Sequence, residues 1–376
     1  MQIIDKKLCN GCSACVFICP KNCIVMERNK EGFLYPKIDS NKCVNCGACK
    51  TLCPVANREE KKKSISAYAV INKDENIRKS SSSGGVFTEL AKYVLSKNGV
   101  VFGAAFDDNF IVKHICVQNE DDLEKLRKSK YVQSQIGESY KQAKALLEQN
   151  KIVLFTGTPC QIGGLQAYLR KPYKNLITQD IICHGVPSPK VWEKYLEKKR
   201  KKGKIKNISF KDKSTGWHSY SLTFEYENVK DSELVSENLY MRLFLKNISL
   251  RHSCYNCAFK SKYRDSDITL ADFWGVEKVN TKFCDDKGVS LVVLNTPKGK
   301  EIFDIVNDGL IYEKTDFEKA ISYNPFMTSS VAPNKNREKF FKKLDKCDIE
   351  RLAKKNTQPS FFKKVKSKLK GIIRKT

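Results

Sequence analysis

Histidine is scarce in this 376-residue chain, which has four, and methionine (four) and tryptophan (three) are as rare. His114, His218 and His252 have no partner at metal-ligand or catalytic spacing, so each is expected to be structural. Long apolar runs are also missing: nothing approaches the roughly 18 consecutive apolar residues of a membrane span. Met1-Gln2-Ile3-Ile4-Asp5 runs directly into a cysteine motif with no basic-then-apolar leader, so a cytoplasmic location is expected. Acidic residues are short against basic ones, 42 to 69, for a formal charge of +27. That field favours acidic electron-carrier proteins, anionic cofactors, anionic lipid or nucleic acid. No nucleic-acid motif interleaves the basic stripes, which argues against the last.

Cysteine is abundant, with 16. The chain is long enough for two or three domains with a proper core, so these thiols are not needed to staple a miniprotein. They fall in close Cys-x2-Cys groups, where metal ligation is a better reading than disulfides. Cys9-Asn10-Gly11-Cys12-Ser13-Ala14-Cys15, then Cys19-Pro20, returns 34 residues later as Cys43-Val44-Asn45-Cys46-Gly47-Ala48-Cys49, then Cys53-Pro54. Three cysteines at x2 spacing closed by Cys-Pro form a bacterial ferredoxin run, in which the fourth thiol swings to the neighbouring cluster. The expected ligands are Cys9, Cys12, Cys15 and Cys53 for one [4Fe-4S] cluster, and Cys43, Cys46, Cys49 and Cys19 for the other. Zinc sites pair two knuckles instead. Cys23 has Asn57 at the matching repeat position and reads as a small buried hydrophobe. A short strand is expected over Glu31–Asp39, and the charged stretch Arg58–Lys63 marks a domain boundary.

Beyond it, Ser66–Ile71 reads as a strand. The loop Ser80-Ser81-Ser82-Ser83-Gly84-Gly85 feeds a helix over Val86–Leu95, an arrangement that suits a phosphate as well as a simple N-cap. Gly99–Phe106 is a buried strand, an amphipathic helix is expected near Glu120–Leu126, and Tyr131 and Gln133 are candidates to border a planar cofactor. A helix over Tyr140–Gln149 leads to a strand at Lys151–Phe155, the turn Gly157-Thr158-Pro159-Cys160-Gln161 and a helix over Ile162–Leu169. Strand, glycine turn and helix make the ligand-binding corner of α/β proteins. A thiol there, at Cys160, is expected to be activated as a thiolate, a nucleophile or a metal ligand.

After a strand over Leu176–Ile182, Cys183-His184-Gly185 again puts a cysteine at a strand end, and Cys254-Tyr255-Asn256-Cys257 supplies a close pair. Cys160, Cys183, Cys254 and Cys257 match the count for a third cluster, with zinc the rival on spacing alone. His184 is the histidine worth testing as catalytic. Asp272, in Asp272-Phe273-Trp274-Gly275, is a candidate to hold a flavin ribityl or position a substrate. Cys116, Cys284 and Cys347 read as isolated packing cysteines, and Lys194–Lys206 as a solvated basic face. From Lys335 on there are 16 Lys and Arg against 4 Asp and Glu. Within this tail, Phe361, Phe362, Val365, Leu369, Ile372 and Ile373 share one helical face, which suits peripheral contact with an anionic membrane.

Together the ferredoxin run, Ser83-Gly84-Gly85, Gly157-Thr158-Pro159-Cys160-Gln161, Cys183-His184-Gly185, Cys254-x2-Cys257 and Asp267-Ile268-Thr269 through Asp272-Phe273-Trp274-Gly275 resemble the beta subunit of coenzyme F420 hydrogenases and dehydrogenases, over roughly residues 5 to 330. The resemblance implies an α/β (α+β) protein: a dicluster ferredoxin domain (1–57) fused to an α/β flavin-binding region (64–140 and 141–335), then a basic tail with an amphipathic helix (336–376). It also implies FAD, held by Ser83, Gly84, Gly85, Gly157 and Thr158, and a third [4Fe-4S] cluster. The Cys183-His184-Gly185 and Asp272-Phe273-Trp274-Gly275 forms look more like a bacterial branch found in cell-surface polysaccharide loci than like the archaeal hydrogenase subunit, so coenzyme F420 itself stays open. The expected function is an iron–sulfur flavoprotein oxidoreductase with a ferredoxin or partner oxidoreductase on one side and an organic substrate on the other. An electron-transfer subunit serving a partner enzyme is the alternative.

Overall fold

The computed structural model describes residues 2–58 and 66–357. In the first segment, β1 (Ile24–Arg28) and β2 (Leu34–Ile38) pair as an antiparallel hairpin. Two one-turn helices, Ala14–Ile18 and Ala48–Thr51, carry the repeated cysteines beside it. Ile3, Ile24 and the thiols of Cys19, Cys23, Cys49 and Cys53 form its small core.

The larger segment is built on an eight-stranded sheet: β3 (Ser66–Asn72), β4 (Val100–Phe106), β5 (Val112–Val117), β6 (Val153–Thr156), β7 (Leu176–Ile181), β11 (Ile268–Asp272), β12 (Ser290–Leu294) and β13 (Leu310–Thr315), in the order β13-β3-β12-β11-β7-β6-β4-β5. β11, β7, β6 and β4 run parallel, and each pairing outside them is antiparallel. The central runs Val153-Leu154-Phe155 and Leu176-Ile177 are buried on both faces, as parallel strands covered by helices must be. Between β7 and β11 the chain inserts a second sheet, β8 (Asn207–Asp212), β9 (Ser221–Glu225) and β10 (Lys230–Leu234). Its core is an aromatic cluster around Trp192, Phe210, Phe224 and Tyr240.

Several expectations need adjusting. Residues 121–125 form a 3-10 turn rather than an amphipathic α-helix. Ser80 ends a helix, Glu75–Ser80, whose Asp74 side chain caps Asn76 and Ile77, so the serine loop is shorter than it reads. The basic run near Lys194 is not a free solvated face. Lys190 and Lys198 pair with Asp345 and Asp348 at 2.7 Å, and buried Lys199 pairs with Asp231 and Glu233. Residues 337–357 are thereby two helices docked on Pro189–Arg200, not a tail. The amphipathic stretch of residues 360–376 lies outside the described residues. Cys284 and Cys347 are exposed, so neither is a packing cysteine. Among the described residues no helix is long and apolar enough to cross a membrane.

The cysteine module is docked on the larger part through side-chain contacts. Arg58 donates to the Ala258 and Tyr263 carbonyls, Arg337 grips Glu31, Ser188 donates to the Glu31 carbonyl, and Phe17 packs edge-on to Tyr140 and Tyr168.

Candidate functional site

The parallel strands place the second group of cysteines. β6 ends at Thr156 and β7 at Ile181, so neighbouring strands release Gly157-Thr158-Pro159-Cys160 and Ile182-Cys183-His184 at the same sheet edge, where α/β proteins bind ligands. Thr158 caps the Pro159–Leu169 helix; Gln161 reaches back to its N–H at 2.9 Å, and Cys160 sits in the first turn. Ser188 N–H and Arg251 N–H, bonded to the Ser249 and Val186 carbonyls, hold the 252–256 turn against the Cys183 loop.

Cys160, Cys183, Cys254 and Cys257 thus line one cavity, with Asn10, His184, Arg251, Lys260 and Arg264. Among the described residues no three His, Cys, Asp or Glu side chains converge closely enough to hold a single metal ion, so the thiols are spread around a cavity. The lining fits an iron–sulfur cluster. Asn10 is buried with neither side-chain amide atom hydrogen-bonded, leaving an N–H free for a sulfide acceptor. Burial pushes the Cys160 thiol well above its usual range and Cys254 up to about 12. Without a metal, burial opposes the thiolate expected of Cys160 at the helix N-terminus. A metal in place of the proton would hold it as a thiolate.

The ferredoxin thiols occupy two contrasting positions. Cys12 lies against Gly164 of the Pro159–Leu169 helix, where a Cβ would sit 3.2 Å from its Sγ, while Cys9 offers its carbonyl to Arg251 at 2.7 Å. Around the second repeat Cys46 is exposed and Val44 59% exposed, while Cys43 is half-buried. Cys23 is buried, as expected of a small hydrophobe, but its Sγ lies 3.3 Å from that of Cys19, at the margin of the outer thiol set.

His184 packs between Phe244 and Phe326, ring centroids 4.8 and 4.4 Å away. Its Nε2 lies 2.7 Å from Asn247 Oδ1, and the Asn247 amide is oriented by its bond to the Ala332 carbonyl, so Nε2 carries the proton. Burial holds its pKa below the usual range, which leaves the ring neutral near pH 7. His114 is structural, as expected: its Nε2 donates to the Thr156 carbonyl and its Nδ1 accepts from Ser134.

The serine loop, Tyr131 and Asp272 meet on an adjoining wall. Gly84 has both backbone groups occupied within the fold, N–H to Ser290 and C=O from Asn72, and a Cβ there would collide with the Val70 carbonyl. Ser83 donates to the Val289 carbonyl, and Gly85 begins the Val86–Ser96 helix without a side-chain cap, leaving N–H groups at its N-terminus. Cations crowd here. Lys213 binds the Arg78, Ser83 and Lys287 carbonyls, and burial with neighbouring Lys211 and Arg78 pushes its pKa down to about 8. Lys211 is buried among Trp217, Tyr220 and Trp274, 2.5 Å from Asp272 without an aligned hydrogen bond. The N–H groups of this helix N-terminus, with the positive charge beside them, fit a phosphate-bearing cofactor. Phe244 packs against both Tyr131 and His184, so this wall and the thiol cavity are contiguous. Gln133 serves elsewhere, bridging the Asn10 carbonyl and Arg251.

Reading the motifs missed Arg251, Asn10, Lys211 and Lys213. Each is an ordinary residue in the sequence and becomes distinctive only through burial.

A duplicated ferredoxin module docked on an α/β sheet whose strand ends carry further cysteines defines an iron–sulfur oxidoreductase. Residues 8–57 match the 4Fe-4S dicluster domain. Residues 67–141 and 150–319 match the N-terminal and C-terminal parts of the coenzyme F420 hydrogenase/dehydrogenase beta subunit, and the chain belongs to that family. It is 26% identical over 364 residues to the coenzyme F420-dependent sulfite reductase of Methanocaldococcus jannaschii, covering 90% of this chain but 52%, about half, of that protein. A chain of the F420-reducing [NiFe] hydrogenase complex of Methanosarcina barkeri matches at 20% identity and TM-score 0.48, over 78% of this chain and 89% of that one.

Proposed function

We propose that the protein is an FAD-dependent oxidoreductase that exchanges electrons between an external carrier and an organic substrate or deazaflavin, with two ferredoxin clusters and a third cluster at Cys160, Cys183, Cys254 and Cys257. The observation that carries this reading is the convergence of those four thiols, from three separate segments, on one cavity walled by the inner ferredoxin loop. When bound, the clusters supply one-electron steps and a flavin couples them to two-electron chemistry.

The residues divide the work by position. Val44 and Cys46 present the outer set to an electron carrier, which we take to be a ferredoxin or a partner oxidoreductase. The N–H groups after Gly85 offer donors and Lys213 offers charge for a flavin phosphate, Ser83 being held in place by its bond to Val289, while Gly157 and Thr158 shape the turn that holds Cys160. Gly84 belongs with the fold of that loop, where it leaves room for Val70. Tyr131 and Asp272 form the wall on the substrate side, and His184, neutral and oriented by Asn247, is placed to move a proton there.

The sulfite reductase relative supports a deazaflavin as the organic partner. A role in cell-surface polysaccharide synthesis rests on the bacterial forms of the motifs. Anaerobic reconstitution with iron, sulfide and FAD tests the reading. Retention of one flavin per chain on desalting is expected, and a chain that carries clusters but keeps no flavin contradicts it.

A further inference from the structure

Arg251 is held differently from two other buried arginines, which have carboxylate partners. Arg78 pairs with Asp285 and Arg337 with Glu31. Arg251 is completely buried, yet among the described residues no carboxylate lies within ion-pair distance of it. Its guanidinium donates to the Cys9 carbonyl at 2.7 Å, the Leu34 carbonyl at 2.9 Å and Gln133 Oε1 at 3.1 Å, and it approaches Cys9 Sγ at 3.8 Å. Tyr35 covers its face at 4.2 Å from the ring centroid. The same side chain lines the cavity of Cys160, Cys183, Cys254 and Cys257. A buried cation without a counter-charge is strongly disfavoured. The anion its surroundings provide is a thiolate-ligated cluster, on either side of it.

The first cysteine repeat is adapted to this contact. Gly11 and Asn45 occupy matching positions and both take a left-handed backbone, φ 67° and 55°. A Cβ on Gly11 would sit 2.8 Å from Arg251 Nη1 and 2.9 Å from Cζ. The outer repeat carries a side chain at this position, and the inner one cannot without displacing the guanidinium.

We propose that Arg251 is a positioning residue shared by the inner ferredoxin site and the third thiol site: it locks the two at a fixed separation and, as their counter-charge, raises the reduction potential of the inner cluster relative to the outer one. The proposal rests on the iron–sulfur reading above. It goes beyond that reading in giving two equal-looking cysteine repeats unequal potentials and assigning the difference to one side chain.

The test is an EPR-monitored redox titration of the reconstituted full chain, with the outer signal assigned by its change in Cys46→Ser. Arg251→Gln should lower the reduced-to-oxidised ratio of the inner cluster at least tenfold at fixed potential, about 59 mV for one electron. The outer cluster should stay within twofold. Arg251→Lys, which keeps the charge, should recover most of the shift. Inner and outer potentials both unchanged in Arg251→Gln, with iron content intact, would overturn the proposal. Should that variant lose inner-cluster iron, Gly11→Asn carries the same two outcomes, because it keeps the arginine and pushes its charge away. A wild-type chain that fails to assemble ferredoxin-type clusters counts against the underlying reading and is seen before any variant is made.

Discussion

The two cysteine repeats share spacing and backbone yet have opposite surroundings. Ser13 and Gly47, like Gly11 and Asn45, take the same left-handed conformation at equivalent positions. Around the first repeat, Asn10 is buried, Cys12 meets Gly164, and Arg251 and Gln133 clasp the loop. Around the second, Val44 and Cys46 are exposed and a Cβ on Gly47 would meet nothing. Duplication thus fixes how each loop holds its thiols, and the docked partner decides what each is for. The inner loop faces the third thiol set, and the outer loop faces solvent.

Cysteine replacement should break this comparison most severely. Cys160→Ala and Cys46→Ala should each remove about four irons per chain. Only the former should leave the ferredoxin clusters reducible by a protein carrier while cutting electron delivery to substrate to background, as stopped-flow absorbance would show.

Acid should distinguish the two sides next. Burial lowers the His114 pKa to about 4 from an ordinary 6.5, so the unfolded chain takes up this proton first. The stability it contributes is complete above pH 6.5 and declines by roughly 3 kcal/mol as pH falls to 4. His114 supports the Cys160 turn through Thr156 and Ser134, which also binds Gln161. His114→Gln should flatten the dependence of chemical-denaturation stability on pH in that window, and the third-site signal should be lost on acidification before the outer one.

Packing gives a smaller effect. Gly164→Val, whose Cβ would lie 2.9 Å from Cys12 Cβ and 2.7 Å from the Tyr140 hydroxyl, should cost about 1–3 kcal/mol by thermal unfolding and disturb the inner signal. Gly47→Ala should leave the inner signal untouched. The mildest change is Val44→Asp on the exposed face, which should leave stability within about 0.5 kcal/mol. It should slow reduction by an acidic carrier protein several-fold but not reduction by dithionite, because it alters encounter rather than the clusters.

Much of this was legible in the sequence, for physical reasons that differ by region. The dicluster module could be read because wrapping a cluster corner demands short, fixed cysteine spacings. The strands before Gly157 and Cys183 could be read because parallel strands buried on both faces are continuous apolar runs. The 207–234 sheet went unread because its strands mix charge with aromatics, and Lys199 and Lys211 are buried only through acids supplied from elsewhere. The thiolate expected at Cys160 followed from the helix N-terminus alone, while burial, invisible locally, acts in the opposite direction. Arg251 could not be singled out, because its partners lie 118 and 242 residues away.

The central claim is that three thiol sets, outer, inner and strand-end, each hold a cluster. Iron and acid-labile sulfide per anaerobically reconstituted chain test it most directly. The account predicts about twelve of each, falling to about eight in Cys160→Ala. About eight in the unaltered chain, with no further loss in that variant, would contradict it.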